Sequence, residues 1–181
     1  IQALAPYYKT NETVKAAVDK ALEALSALQR NDGGFGSWGT VNSESCAQVI
    51  VALTALGIDP TADSRFIKNG LTVLDALAGF YVNGGGFRHT AGGDLDGMAT
   101  EQGYYALASY YRFLNGQTSL YDMSDVAVQT AGTSGGDNSG NGTNNGGTPA
   151  TGDTGVLVWV IALPVTILAA TFVLKRKERE E

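Results

Sequence analysis

The sequence Asn31-Asp32-Gly33-Gly34-Phe35 recurs 52 residues later as Asn83-Gly84-Gly85-Gly86-Phe87. A second matching pair follows at an offset of 54 residues: Gln48-Val49-Ile50-Val51-Ala52-Leu53 and Gln102-Gly103-Tyr104-Tyr105-Ala106-Leu107. A period of about fifty residues indicates a supersecondary unit that packs against its own copy. The recurrence therefore predicts a repeat domain, which we place at residues 1–128.

Each unit is predicted to be a pair of helices, because apolar residues recur at three- and four-residue spacing. Asn11, Ser43 and Asp96 are the predicted N-caps, and Gly57 is a predicted helix stop. No segment alternates with period two over the length of a strand. The predicted fold class is therefore all-α, built from helical hairpins. The predicted helices cover residues 12–28, 44–56, 71–81 and 97–115, with a short helical turn at 65–69.

Residues 29–36 together with residues 47–53 resemble the repeat of protein prenyltransferase β subunits and squalene–hopene cyclases. Those proteins form α/α toroids, in which an inner and an outer ring of helices enclose an apolar cavity. Cobalamin-carrying proteins share that architecture. The resemblance covers about residues 20–115 and implies a partial toroid, since two repeats do not close a ring. It therefore favours further helices upstream in a longer precursor. A signal peptide is also expected upstream, because a domain outside the cell needs one.

The same resemblance implies candidate metal ligands. In the prenyltransferases, zinc is held by an Asp-x-Cys pair at the start of an inner helix and by a histidine one repeat later. Glu44 and Cys46 occupy the corresponding place after the first Gly-Gly-Phe, whereas His89 is expected in a loop. A catalytic zinc site needs three protein ligands, so this set is incomplete. A buried structural role is the alternative for Cys46.

The cyclases use an Asp-rich DxDD motif, of which Asp94 and Asp96 match the first two acids. The last acid of the motif is replaced by glycine here, and capping of the following helix is the alternative role of Asp96. The spacing of this pair is compatible with a calcium-binding loop, but the further oxygen ligands that calcium needs are missing. We predict no catalytic residue, no cofactor and no bound metal, and the remaining metal candidates are Glu44, Cys46, Asp94 and Asp96.

Polar and aromatic residues within the apolar helices are the candidate ligand contacts. Gln48 and Gln102 have two possible roles: they face a cavity, or they bond the Gly-Gly-Phe loops. The aromatic residues at 104–113 are too many for one buried face. The candidate cavity- or ligand-facing residues are Trp38, Gln48, Gln102, Tyr104, Tyr105 and Tyr111.

The composition changes after the repeats. Residues 129–149 are almost entirely Gly, Asn, Thr, Ser and Asp, which predicts a flexible linker. Residues 156–174 are an uncharged apolar run, and a helix of that length reaches roughly 28 Å, the thickness of a bilayer core. The basic residues that follow predict a transmembrane helix with a cytoplasmic C-terminus.

Thr148-Pro149-Ala150-Thr151-Gly152, the apolar run and the basic tail resemble the cell-wall sorting signal of Gram-positive bacteria, here residues 148–181. The resemblance implies that a sortase cuts between Thr151 and Gly152 and joins Thr151 to peptidoglycan. Pro149, Thr151 and Gly152 match the Leu-Pro-x-Thr-Gly motif of that family, and Thr148 replaces its leucine. The expected location is the extracellular face, either wall-anchored or held by the single span.

Charge and cysteine content exclude some functions. The formal net charge is −6, which argues against nucleic acid as a partner. A single cysteine excludes an internal disulfide.

The expected function is a non-catalytic surface module that binds a small hydrophobic or cobalamin-like ligand, a glycan or a protein. Two alternatives stay open: an isoprenoid-handling enzyme of the terpene cyclase or prenyltransferase type, and a structural or adhesive surface domain.

Overall fold

A computed structural model describes residues 1–127 of the 181-residue chain. This part contains four α-helices, namely α1 (Glu12–Leu28), α2 (Ser43–Ala55), α3 (Val73–Ala78) and α4 (Gly97–Leu114). Two 3-10 helices cover Gln2–Tyr7 and Ser64–Phe66. Three antiparallel hairpins are formed by β1 (Gly36–Ser37) with β2 (Thr40–Val41), β3 (Ile67–Lys68) with β4 (Leu71–Thr72), and β5 (Phe87–Arg88) with β6 (Leu95–Asp96).

The predicted all-α class, a partial toroid of helical hairpins, is wrong, because residues 1–127 form a mixed α/β structure. Each strand has two residues, which is too short for a period-two pattern to be recognised. One hairpin is indicated by its turn sequence instead. Asn69-Gly70 is a preferred pair for a two-residue hairpin turn, and it joins β3 to β4. The third helix is consequently Val73–Ala78 instead of 71–81.

The helices between residues 1 and 127 all lack the combination of length and hydropathy that a membrane span requires. The predicted linker at 129–149, the sorting motif at 148–152 and the apolar run at 156–174 lie outside the described residues.

Each hairpin leads directly into a capped helix. The side chains of Asn42, Thr72 and Asp96 accept a backbone N–H three residues further on, at 2.8, 3.2 and 2.8 Å. These bonds satisfy donors that a helix N-terminus otherwise leaves unpaired. The predicted cap Asp96 is confirmed, whereas α2 is capped by Asn42 instead of Ser43.

Helix α2 lies at the centre of the core. Its residues Cys46, Ile50 and Leu53 have no solvent exposure, and it packs against both α3 and α4. Burial of an aliphatic side chain of this size contributes about 1.5–3 kcal/mol. A buried hydrogen bond of 2.7 Å between Thr54 Oγ1 and Ser109 Oγ also joins α2 to α4. Because α2 is covered on most sides, Gln48 is its one exposed position.

Each repeat makes an equivalent contact between its loop and the following helix, but through a different side chain. In the first repeat the backbone N–H of Phe35 donates to Cys46 Sγ, with N and Sγ 3.4 Å apart. In the second, the N–H of Phe87 donates to Thr100 Oγ1 at 2.9 Å. Cys46 and Thr100 are separated by the same 54 residues as Gln48 and Gln102. The thiol and the hydroxyl therefore have the same role: each accepts the backbone N–H of the loop phenylalanine and holds the Gly-Gly-Phe loop against the following helix.

Candidate functional site

The candidate metal ligands have other structural partners. Burial raises the pKa of the Cys46 thiol to about 12, which keeps it protonated, whereas metal binding requires the thiolate. The Glu44 carboxylate pairs with His89 Nδ1 at 2.8 Å. Asp96 caps α4, and Asp94 is exposed in the loop between β5 and β6. Residues 1–127 contain no group of three or more His, Cys, Asp or Glu placed to hold a metal ion.

Cys46→Thr should change the free energy of unfolding by less than about 1 kcal/mol, because threonine already fills the equivalent position 100. Cys46→Val should cost about 1–3 kcal/mol more than Cys46→Thr, since valine leaves the buried N–H of Phe35 without an acceptor. Threonine and valine have nearly the same shape, so the pair isolates the polar atom. Urea denaturation of the full chain measures the difference, and equal stabilities would refute the proposed equivalence of Cys46 and Thr100.

The pH dependence of the same variants provides a second readout. The thiol pKa is 9.0 in the absence of perturbation and about 12 in the folded chain. The unfolded thiol therefore ionises first, and its contribution to stability is present below pH 9 and is lost as the pH rises towards 12. The wild type should lose more stability over this window than Cys46→Thr.

Three predicted contact residues meet on the surface of α2 and α4, in a cluster that we call the amide row. It consists of Gln2, Gln48, Gln102 and Tyr105. Gln2 Nε2 donates to the main-chain oxygen and to Oε1 of Gln48, at 3.0 Å each. Gln48 Nε2 in turn donates to Gln102 Oε1 at 3.2 Å and to the Tyr105 hydroxyl. The row thus joins the N-terminal 3-10 helix, α2 and α4.

The loop-bonding role predicted for Gln48 and Gln102 is wrong, since Cys46 and Thr100 bond the Gly-Gly-Phe loops instead. The glutamines bond one another at the surface. Sequence reasoning missed Gln2, which lies in a short N-terminal segment without a recognisable pattern.

The amide row has hydrogen-bond donors available for a ligand. Within residues 1–127, Gln102 Nε2 and the hydroxyl hydrogen of Tyr105 have no acceptor. Burial raises the pKa of Tyr105 to about 12, so its hydroxyl stays protonated at neutral pH. A ligand with hydroxyl or carbonyl oxygens matches these two donors.

The remaining candidates do not join the row. Tyr104 is half-buried and packs edge-to-face on Phe87, with ring centroids 5.7 Å apart. Tyr111 is half-buried near the end of α4, and Trp38 is fully exposed at the turn between β1 and β2. The structure therefore brings together three of the six predicted contact residues, namely Gln48, Gln102 and Tyr105.

A cleft of about 410 Å³ lies at the C-terminal ends of α2 and α4. Its lining includes the bonded pair Thr54 and Ser109, together with Lys9, Phe113 and Gln117. None of the predicted contact residues lines it. Sequence reasoning missed the cleft because its walls come from three segments that are far apart in sequence, residues 5–9, 54–57 and 109–119.

Comparison of the chain with protein-family models, with curated proteins and with solved structures found no match. The resemblances to prenyltransferase-type repeats and to a sorting signal therefore remain predictions that depend on the quoted motifs.

Proposed function

We propose that the chain is a non-catalytic binding module displayed on the outer surface of a bacterial cell, and that its ligand contacts the amide row. The observation that carries this proposal is a pair of donors on α4, Gln102 Nε2 and the Tyr105 hydroxyl, that have no acceptor within residues 1–127. Helix α4 packs against α2, which holds these side chains on a rigid surface. Side chains held on rigid elements lose little entropy when a ligand binds.

The positions of the candidate metal ligands also support a binding role. The thiol of Cys46 serves the Phe35 loop, and the carboxylate of Asp96 serves the first turn of α4. Groups used in this way hold the fold together. The amide row, by contrast, is partly exposed to solvent and has two donors without an acceptor within residues 1–127.

Display outside the cell is the part of the proposal that depends on the C-terminal sequence. The motif at 148–152, the apolar run at 156–174 and the basic residues after it have the order of a sorting signal. The proposed partners are accordingly a sortase, peptidoglycan and the membrane, besides the ligand itself.

Binding of defined probes to the full chain tests the proposal. We would titrate chitotetraose, cyanocobalamin and palmitate by calorimetry, and compare the wild type with Gln102→Leu and Gln48→Leu. Leucine keeps the approximate size and helix propensity of glutamine but has no polar atom. Gln117→Leu is the matched control, because Gln117 lies in the cleft and outside the row.

We expect at least one probe to bind, and Gln102→Leu to weaken its binding by about tenfold, as the loss of one hydrogen bond predicts. Gln48→Leu should also weaken binding, because Gln48 holds Gln102 and Tyr105 in place. Gln117→Leu should bind like the wild type. Thermal melting of each variant checks that the fold is intact. The proposal fails if no probe binds, or if Gln117→Leu weakens binding and the row variants do not.

A further inference from the structure

Two turns of this chain have the same backbone conformation but different residues. The β3–β4 turn has Asn69 at φ 53° and Gly70 at φ 78°, and the β1–β2 turn has Trp38 at φ 52° and Gly39 at φ 85°. Asparagine and glycine tolerate the left-handed region, and they are the usual residues of such turns. Tryptophan at this position is strained, because its Cβ crowds the backbone.

Trp38 is also fully exposed to solvent. Among residues 1–127, the aromatic pairs and cation–π contacts do not include its ring. The fold therefore gains no packing from the indole that would offset the strained φ. Residues whose backbone strain is not offset by packing are concentrated at functional sites.

The turn that presents Trp38 is braced. Arg30 Nη2 donates to the carbonyl oxygen of Gly39 at 2.8 Å. In addition, Asn42 Nδ2 donates to Ser37 Oγ at 3.0 Å, which ties the first strand to the cap of α2. A braced turn holds the indole in place before a ligand arrives, which lowers the entropy cost of binding.

We propose that Trp38 is a ligand-contact residue that stacks on the pyranose rings of a neutral glycan. This inference rests on the proposed function, since it names the ligand class and adds a contact outside the amide row. One face of a β-linked pyranose presents C–H groups that pack on an indole ring, while its hydroxyls seek hydrogen bonds. Trp38 supplies the ring, and the two amide-row donors that have no acceptor within residues 1–127 suit the hydroxyls.

The surroundings of Trp38 favour a glycan over other partners. The neighbouring positions Ser37, Gly39 and Thr40 are exposed and small. A protein partner would need a contact surface of about 800 Å² on this side, with an aromatic anchor packed in its centre. Binding to an anionic membrane would need a basic surface, whereas the chain has a net charge of −6.

The test measures stability and glycan binding in the same variant of the full chain. Trp38→Asn gives the first turn the Asn-Gly pair of the second. It should raise the melting temperature by about 2–4 °C, because the strained residue is removed. It should also weaken chitotetraose and cellotetraose binding about tenfold or more, as expected for loss of an aromatic anchor. Opposite changes in stability and binding are not expected of a residue that only supports the fold.

Two further variants sharpen the test. Asn69→Trp places a tryptophan in the second turn, and it should lower the melting temperature while leaving glycan binding unchanged. The chain has two tryptophans, and Trp159→Phe leaves only Trp38. Its fluorescence should then shift to shorter wavelength on addition of chitotetraose, because a stacked sugar removes water from the indole.

The inference is overturned if Trp38→Asn lowers the melting temperature, or if it binds both tetrasaccharides like the wild type. Cyanocobalamin binding that depends on Gln102, without tetrasaccharide binding, would overturn the inference and leave the proposed function intact. Tetrasaccharide binding that depends on Trp38 but not on Gln48 or Gln102 would support the inference and overturn the amide row as the site.

Discussion

Gly33→Ala should destabilise the repeat domain by about 3 kcal/mol, the sum of backbone strain and a steric clash. Gly33 has a φ of 79°, and a Cβ at this position would lie 2.3 Å from the carbonyl oxygen of Thr72. The clash involves backbone on both sides, so a side-chain rotation does not relieve it. Gly33 thereby allows the first Gly-Gly-Phe loop to lie against the second hairpin.

Gly70→Ala is the matched control. Gly70 has nearly the same φ, 78°, but a Cβ there has no neighbour within 4 Å. Its substitution should therefore cost only the strain of the left-handed backbone, about 1 kcal/mol. Urea denaturation of the full chain, followed by circular dichroism, gives both values. Equal losses in the two variants would contradict the close approach of the loop to Thr72.

Thr151→Ala should abolish covalent attachment to the wall in a Gram-positive host that has a sortase. Under the proposed function, the sortase attacks the carbonyl of Thr151 and releases Gly152 with the rest of the tail. In the wild type, muramidase digestion should release the protein from washed walls. In Thr151→Ala the protein should move to the detergent-extractable membrane fraction.

Thr143→Ala is the matched control for this experiment, since it makes the same change outside the motif. It should partition like the wild type. Thr148→Leu restores the leucine of the family's motif and should attach at least as well. Wall attachment of Thr151→Ala at the wild-type level would refute the assignment of the motif.

The sequence predicted the features that local interactions determine. The start of α4 and the caps Asn11 and Asp96 are as predicted, because a cap and its helix are neighbours in sequence. Helix α4 ends at Leu114, one residue before the predicted limit. The strands were missed because each is two residues long and is defined by its turn. The cap of α2 was misplaced by one residue, since Asn42 and Ser43 are both good caps and only Asn42 bonds the third N–H of the helix.

The candidate site was only partly predictable. Gln48 and Gln102 were recognised as polar residues in apolar helices, but their mutual bond depends on how α2 packs on α4. Gln2 reaches Gln48 across 46 residues of sequence, and no local pattern reports such a contact. The structural role of Cys46 became visible only through the contact that Thr100 makes in the other repeat.

The proposed module is tested most directly by locating the bound glycan on the chain. We would follow backbone hydrogen exchange of the full chain with and without saturating chitotetraose. The proposal predicts slower exchange in the β1–β2 hairpin, residues 36–41, and in the turns of α2 and α4 around Gln48 and Gln102. Protection confined to residues 109–119, beside the cleft, would contradict it, as would unchanged exchange throughout.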